Sequence, residues 1–408
     1  MQRYDTYKPS GVKWLGEIPS HWEVIKSKYL WKESFSISEN GNEELLSVSQ
    51  YDGITPAKGD SRSESLKGYK IVSENDLVIN IMLAWMGGLG VSKYDGIVSP
   101  AYCVYKLTND SNPKYLHYLY KTPLYLAEFA RRSSGVIPSR WRMYTDDFGQ
   151  VVSLLPPRKE QDAIVEYLDE KMAKIDAAIA QQQKMIDLLN ERKQIIINRA
   201  VTKGLNPNAK MKDSGVEWIG EVPEHWQLLP YRYLFYNLDK LRMPITADQR
   251  SRNNPQYDYY GASGVIDKID YYNVEDKVLL IGEDGANLLM RNLPLIYKAE
   301  GKFWVNNHAH ILKPIRDDYD FLAYVMEAAD YTLYITGSAQ PKLSQSNLHC
   351  VKLPIPPISE QKQIVDYLSK RTNKIDEAII ESNGMISLLQ ERKQIIINEV
   401  VTGKVKVI

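Results

Sequence analysis

The chain has 408 residues, with 51 lysines and arginines against 51 aspartates and glutamates, so its formal net charge is zero. This length allows about two to three domains, each large enough to bury a core. A hydrophobic fraction of 44% with 10% aromatic residues excludes wholesale disorder, which requires few apolar residues and a large net charge. We therefore expect a globular protein.

The lack of a signal-peptide or membrane-spanning pattern and the small number of cysteines indicate the cellular compartment. Residues 1–5 contain no apolar signal-peptide core, and no stretch approaches the roughly 18 apolar residues that a spanning helix needs. The two cysteines, Cys103 and Cys350, are too few for a disulfide framework or a cysteine zinc site. We expect a protein of the reducing cytoplasm, neither secreted nor embedded in a membrane.

The first recognisable segment of the chain returns later. Residues 10–22 (SGVKWLGEIPSHW) recur as residues 214–226 (SGVEWIGEVPEHW), and residues 156–198 recur as residues 356–398 at a constant offset of 200. This period is far longer than the roughly 20 to 50 residues of a solenoid unit. Each copy is therefore a domain followed by a connector, with predicted bounds of 1–155, 156–205, 206–355 and 356–408.

The first domain mixes strand-like stretches, such as residues 76–81, with turn-rich loops and a short helix near residues 115–131. Residues 129–145 contain no acidic residue. Arginine forks suit phosphates and guanine edges, hydroxyls suit phosphates, and rings can stack. A plain solvated loop is the alternative, but we predict nucleic-acid contact by Arg131, Arg132, Ser134, Arg140, Trp141, Arg142 and Tyr144.

The first connector, residues 156–205, is predicted to be a helix of about 40 residues, on the order of 60 Å long. Two prolines precede it, no proline interrupts it, and its apolar residues alternate spacings of four and three. Heptad spacing in both connectors predicts that they pair as an antiparallel coiled coil, whereas two separate core helices would be the alternative. Gly384 replaces Lys184 and marks a predicted kink point.

The second domain is also predicted to mix strands (residues 277–281) and a helix (residues 320–334), but its sequence differs from that of the first. Its polar loop at residues 336–342 precedes the second connector, as residues 140–142 precede the first. His308 and His310 favour a packed or hydrogen-bonded pair over a metal site. Predicted nucleic-acid contacts in this domain are Arg242, Arg250, Arg252, Asn253, Ser338, Gln340 and Lys342.

Catalytic motifs are missing from the sequence. It has no G-x-x-x-x-G-K-[ST] phosphate loop, no G-x-G-x-x-G turn and no H-E-x-x-H zinc motif. The nearest approach to the [DN]-P-P-[YF] motif of amino-methyltransferases, residues 254–257, lacks the second proline. No nucleophile and base can be paired, so we expect no catalytic residue in this chain.

These motifs resemble one family over essentially the whole chain: the specificity subunits of type I restriction-modification enzymes. The resemblance lies in the twin openings at residues 10–22 and 214–226 and in the twin PPxxEQxxIV helix starts. It extends to GSAQPKLS at residues 337–344 and SPAY at residues 99–102. It implies an α+β fold with a pseudo-twofold internal repeat. Two α/β target-recognition domains are then separated by two long conserved helices that pair as an antiparallel coiled coil.

The resemblance also implies a function. The two domains would each read one half of a bipartite, asymmetric DNA target in the major groove, and the helices would fix the gap and dock two methyltransferase subunits. Restriction subunits, which translocate DNA, could join them. This chain would hold no cofactor, because S-adenosylmethionine belongs to the methyltransferase subunits, and ATP and Mg²⁺ to the restriction subunits.

Other functions are distinguishable from this one. The zero net charge departs from the basic profile of a DNA-binding protein, so tight binding is expected to need partner subunits. A protein-only adaptor would show no DNA binding, alone or with partners. A self-sufficient modification enzyme would bind cofactor as an isolated chain.

Overall fold

The computed structural model describes residues 2–50, 53–57, 65–135, 137, 141–250, 255–337 and 341–407. The chain divides into two compact units, unit 1 (residues 1–183 and 383–408) and unit 2 (residues 184–382). Each unit combines one α+β body with a part of both long helices. Within the described part of the chain, no helix is long and apolar enough to cross a membrane.

Unit 1 is built around a four-stranded antiparallel sheet of order β4-β11-β8-β9. Its strands are β1 (Tyr7–Pro9), β2 (Glu17–Pro19), β3 (Glu23–Lys26), β4 (Trp31–Ser34), β5 (Leu46–Ser49), β6 (Gly53–Pro56), β7 (Lys70–Val72), β8 (Leu77–Asn80), β9 (Leu89–Val91), β10 (Gly96–Val98), β11 (Tyr102–Leu107) and β12 (Val152–Leu155). Its helices are α1 (Pro113–Tyr120), α2 (Pro123–Arg132), α3 (Thr145–Gly149), the first part of α4 (Arg158–Lys203) and the last part of α8 (Ile358–Val401).

Local sequence explains where the helices of unit 1 begin. Asn112 caps α1 by accepting hydrogen bonds from the amides of Lys114 and Tyr115, and a proline occupies the first turn. Thr122 caps α2 in the same way. These are the residue types that satisfy the free amides of a helix N-terminus. The apolar faces of both helices then join the core of unit 1.

Unit 2 contains a six-stranded sheet of order β16-β21-β19-β20-β17-β18. Its strands are β13 (Met211–Asp213), β14 (Glu221–Pro223), β15 (Gln227–Pro230), β16 (Phe235–Asn237), β17 (Tyr257–Gly261), β18 (Gly264–Ile269), β19 (Val274–Gly282), β20 (Ile296–Val305), β21 (Ala309–Pro314), β22 (Ile335–Thr336), β23 (Lys342–Leu343) and β24 (Lys352–Ile355). Its helices are α5 (Gly285–Met290), α6 (Tyr319–Ala328), α7 (Gln345–Leu348), the last part of α4 and the first part of α8.

Four strands of the central sheet follow the same order in both units, although the sequences of the units differ. The strand order β4-β11-β8-β9 of unit 1 is repeated as β16-β21-β19-β20 in unit 2, and β3-β12 is repeated as β15-β24. The central strands β8 and β19 are apolar runs buried on both faces, at residues 77–79 and 278–281. A strand covered on both sides needs such a run rather than an alternating pattern. The shared topology was not evident from the sequence.

The predicted pairing of the long helices is confirmed within each unit. In unit 2 the Lys193 ammonium contacts Asp376 at 2.7 Å, and in unit 1 the Lys393 ammonium contacts Asp176 at 2.6 Å. The heptad lysines therefore reach carboxylates on the opposing helix instead of interrupting the apolar seam. Helix α8 runs unbroken through Gly384. All the remaining heptad positions, from Leu168 to Ala200 on α4 and from Leu368 to Val400 on α8, are buried or half-buried.

Candidate nucleic-acid interface

A small antiparallel hairpin leads into α3 in unit 1. Ser134 and Arg142 exchange two backbone hydrogen bonds of 3.0 and 2.9 Å. The next residue, Met143, is buried, and its amide donates to the carbonyl of Ile81 at 3.0 Å. The hairpin is thus attached to the residue that follows the central strand β8.

The arginines of this region differ in their partners. Arg131 and Arg132 each place Nε 2.6 Å from the buried Glu128 carboxylate, on the last turn of α2. Burial raises the pKa of Glu128, but the hydrogen bonds from both arginines outweigh burial and lower it. The side chain of Arg131 nevertheless remains 63% exposed. Arg142 is exposed and forms no ion pair with any residue that the structure describes.

Apolar side chains surround the hairpin of unit 1. The ring of Trp141 packs edge-on against Trp85, with centroids 5.4 Å apart. Trp85 lies in a single helical turn after β8 and donates from Nε1 to the carbonyl of Met82. Met82 and Met86 are both 40% exposed. The loop after β8 therefore presents apolar side chains beside the hairpin, with Tyr144 exposed at the start of α3.

Unit 2 has an equivalent hairpin formed by β22 and β23, in which Thr336 pairs with Lys342. Leu343 is buried, and its amide donates to the carbonyl of Glu283 at 2.9 Å. Glu283 follows the central strand β19 as Ile81 follows β8. The backbone hydrogen bonds that attach the hairpin to the end of the central strand are therefore the same in both units.

Charged side chains replace the apolar ones in unit 2. Glu283 accepts a 2.8 Å hydrogen bond from Arg242 and lies 3.4 Å from the Lys342 ammonium. Burial raises the pKa of Glu283, but the hydrogen bond from Arg242 and nearby positive charge lower it overall. The adjacent Asp284 contacts His308 at 3.3 Å. This region is an ion-paired cluster instead of an apolar surface.

The two histidines of the second domain have separate roles. The buried His310 ring places Nδ1 2.6 Å from Asp239 and Nε2 2.8 Å from the carbonyl of Leu343. Both ring nitrogens therefore face oxygen atoms that accept hydrogen bonds. Burial raises the pKa of Asp239, but the contacts with His310 and the amide of Ile311 lower it overall. His310 thus holds the base of the hairpin, and no group of three metal-ligating side chains occurs among the described residues.

Other predicted contact residues lie in less open positions or outside the described residues. The Arg250 guanidinium lies over the ring of Tyr259 and 3.4 Å from Asp267. Arg242 is only 21% exposed in its side chain. Five predicted contacts lie outside the described residues, namely Arg140, Arg252, Asn253, Ser338 and Gln340.

Sequence reasoning overlooked several residues of these two sites. Glu128 lies three and four residues before Arg131 and Arg132, a helical spacing that indicates ion pairs. The apolar run of residues 81–86 ends at Gly87 and Gly88, so it could have been recognised as an apolar loop. No sequence signal links Glu283 to Arg242, because their contact depends on the sheet topology.

Comparison with known proteins identifies one family. The profile described as "Type I restriction modification DNA specificity domain" matches residues 235–382. A putative type I restriction enzyme specificity subunit of Haemophilus influenzae is 32% identical over 136 residues, which are 33% of this chain and 34% of that protein. The alignment with that relative therefore spans about a third of its length.

Two further relatives align from end to end. The putative MjaX and the MjaVIII type I restriction enzyme specificity subunits of Methanocaldococcus jannaschii are each 23% identical over 96% of this chain. The alignments cover 96% and 94% of those proteins. A chain from a solved structure described as showing assembly of "the type I R-M system" has a TM-score of 0.68 at 13% identity. That match covers 94% of this chain and 98% of the other, and it shows a common fold. The chain is therefore similar over nearly its whole length to specificity subunits of type I restriction-modification enzymes, and residues 235–382 match the DNA specificity domain of that family.

Proposed function

We propose that this chain specifies the DNA target of a type I enzyme, with each unit reading one half of a split duplex sequence. One observation carries the proposal: the same strand order and the same attached hairpin occur twice, with different side chains around them. A repeated scaffold with different surfaces is what recognition of two dissimilar half-sites requires. A split, asymmetric target follows from this arrangement.

The described contact residues support DNA as the ligand. In unit 1, Arg142 and Tyr144 are exposed next to the hairpin, and the side chain of Arg131 is largely exposed. In unit 2, Lys342 lies on the hairpin with its side chain 46% exposed. Arginine and lysine donate to phosphates and to guanine edges in the major groove. An Arg142→Ala change is expected to weaken or relax recognition of one half-site only.

The long helices supply a docking surface for the partner subunits. Outside the seam, the part of α4 in unit 2 exposes Met185, Leu188 and Ile195. On α8, unit 1 exposes the identical residues Met385, Leu388 and Ile395. Identical apolar surfaces suit two copies of one protein, because each copy can make the same contacts. We assign these surfaces to two methyltransferase subunits.

Chemistry is assigned to those partners and not to this chain. S-adenosylmethionine would bind the methyltransferase subunits, and ATP and Mg²⁺ would bind restriction subunits where these are present. Because the formal net charge is zero, DNA binding by the isolated chain is expected to be weak. It should also fall steeply with salt, since phosphate contacts release counterions.

The target can be determined directly. The chain is co-expressed with its neighbouring methyltransferase subunit in a host without DNA methylation, and the genome is sequenced with modification-sensitive long reads. A single split motif with a fixed gap is the expected result. If the two subunits associate but no motif is methylated and the complex does not bind DNA, the chain is a protein adaptor and the proposal is wrong.

Docking is tested on each helix separately. Leu188→Asp and Leu388→Asp should each remove one of two methyltransferase subunits, and the double variant should remove both, as measured by the mass of the purified complex. Ala177→Glu is the matched control, because this exposed position on α4 corresponds to Glu377 on α8. A double variant that still binds two subunits would show that another surface is used.

A further inference from the structure

The residues directly after the central strand occupy the same place in both units but differ in chemistry. Ile81 and Glu283 each accept a hydrogen bond from the buried residue that follows the hairpin. The next residues are Met82 in unit 1 and Asp284 in unit 2. Two chemically different pairs therefore stand at one structurally equivalent position beside the surface assigned to DNA.

In unit 1 this position is apolar and carries no acid. Residues 77–92 contain no charged side chain, and residues 129–145 contain no acidic one. Met82, Leu83 and Met86 are exposed next to the packed pair of Trp85 and Trp141. In the major groove the apolar feature of a base pair is the methyl group of thymine.

In unit 2 the same position presents two carboxylates, of which Glu283 is balanced by two cationic side chains. Glu283 is paired with Arg242 and Lys342, and Asp284 is paired with His308. The side chain of Asp284 is 47% exposed, so it is accessible to a ligand. A carboxylate flanked by cations can approach DNA with less repulsion from the phosphates. Carboxylates accept from the N4 amino group of cytosine, and the arginine and lysine beside them can donate to the paired guanine.

We propose that the segment following the central strand determines the base that each unit accepts at one position of its half-site. In unit 1, Met82 and Met86 select a T·A pair through the thymine methyl group. In unit 2, Glu283 and Asp284 select a C·G pair through the cytosine amino group. This inference rests on the proposed function, since it names specificity determinants within the two DNA sites.

The experiment compares methylation motifs of the complete complex with its methyltransferase subunits. Met82→Gln should relax one T·A position in one half-site, and Glu283→Gln should relax one C·G position in the other. Each contact is expected to account for roughly 10- to 100-fold in discrimination between base pairs. Because each substitution should leave the other half-site unchanged, each serves as the folding control for the other.

A matched control and a milder variant separate structural damage from lost recognition. Glu275 lies at the opposite end of β19 and is also ion-paired, so Glu275→Gln should leave the motif unchanged. Asp284→Asn replaces an accessible carboxylate, and it should relax the same half-site as Glu283→Gln if the latter reduces the yield of complex.

The outcomes distinguish this inference from the proposed function. A wild-type split motif that stays unchanged in Met82→Gln, Glu283→Gln and Asp284→Asn overturns the inference and leaves the function intact. A wild-type motif whose half-sites lack T·A and C·G in this order also overturns it. A functional complex that methylates no split motif overturns the proposed function, and this inference with it.

Discussion

Replacing Glu160 by alanine should destabilise unit 1 more than the equivalent Glu360→Ala change destabilises unit 2. Glu160 lies in the first turn of α4 and accepts hydrogen bonds from Tyr4 at 2.5 Å, Trp22 at 3.2 Å and His21 at 2.7 Å. Burial and this carboxylate raise the pKa of Tyr4, so its hydroxyl remains a donor. The repeated His-Trp and Glu-Gln motifs thus join the opening of each unit to its long helix.

The two copies differ in partners and in burial. Glu360 accepts from His225 at 2.9 Å and from Trp226 at 3.2 Å. The side chain of Glu160 is 8% exposed, whereas that of Glu360 is 22% exposed. A buried donor left without a partner costs about 1–3 kcal/mol. Glu160→Ala leaves two buried donors and a histidine without a partner, which should lower the free energy of unfolding by about 3–5 kcal/mol in all. Glu360→Ala should lower it by about 1–2 kcal/mol.

Hydrogen exchange measures the two sites in one molecule. The amides of the first turns of α4 and α8 report local opening, and a loss of about 1.4 kcal/mol raises exchange about tenfold. Glu160→Ala should accelerate exchange by roughly 100-fold or more at α4, and Glu360→Ala by about tenfold at α8. Equal effects of the two variants, or less than tenfold at α4, would refute the reasoning from burial and unpaired donors. Glu160→Gln should lie between wild type and alanine.

Three further predictions concern other sites. Apart from the neighbouring backbone of α8, no described atom lies within 4 Å of the Cβ position at Gly384. Gly384→Ala should therefore stabilise α8 by about 0.5–1 kcal/mol in urea unfolding, and destabilisation would contradict the open surface seen there. Burial, reinforced by Lys121, lowers the pKa of His117 to about 4. Since an unfolded histidine titrates near pH 6.5, stability should be complete above that pH and decline as the pH falls toward 4, and His117→Gln should flatten this profile. Burial raises the pKa of the Cys103 thiol whereas Cys350 is exposed, so a thiol reagent should label Cys350 first, and equal rates would count against the packing of Cys103.

The internal repeat and the long paired helices of this protein could be predicted from the sequence. The offset of 200 residues, the heptad seam and the order of domains and helices are patterns along the chain, and helical periodicity depends only on neighbouring residues. The two lysines at heptad positions, Lys193 and Lys393, are compatible with the predicted coiled coil because they form ion pairs with acids on the opposing helix.

The composition of each candidate site was decided only by the tertiary structure. The hairpins adjoin Ile81 and Glu283 through hydrogen bonds between segments that are distant in sequence. The division into units likewise cuts both long helices, where the sequence pattern is continuous. Side-chain chemistry along one segment indicates what it can bind, but the strand order determines which second segment stands beside it. The reason is physical: a periodic pattern is local, whereas strand pairing and burial join residues that no sequence spacing relates.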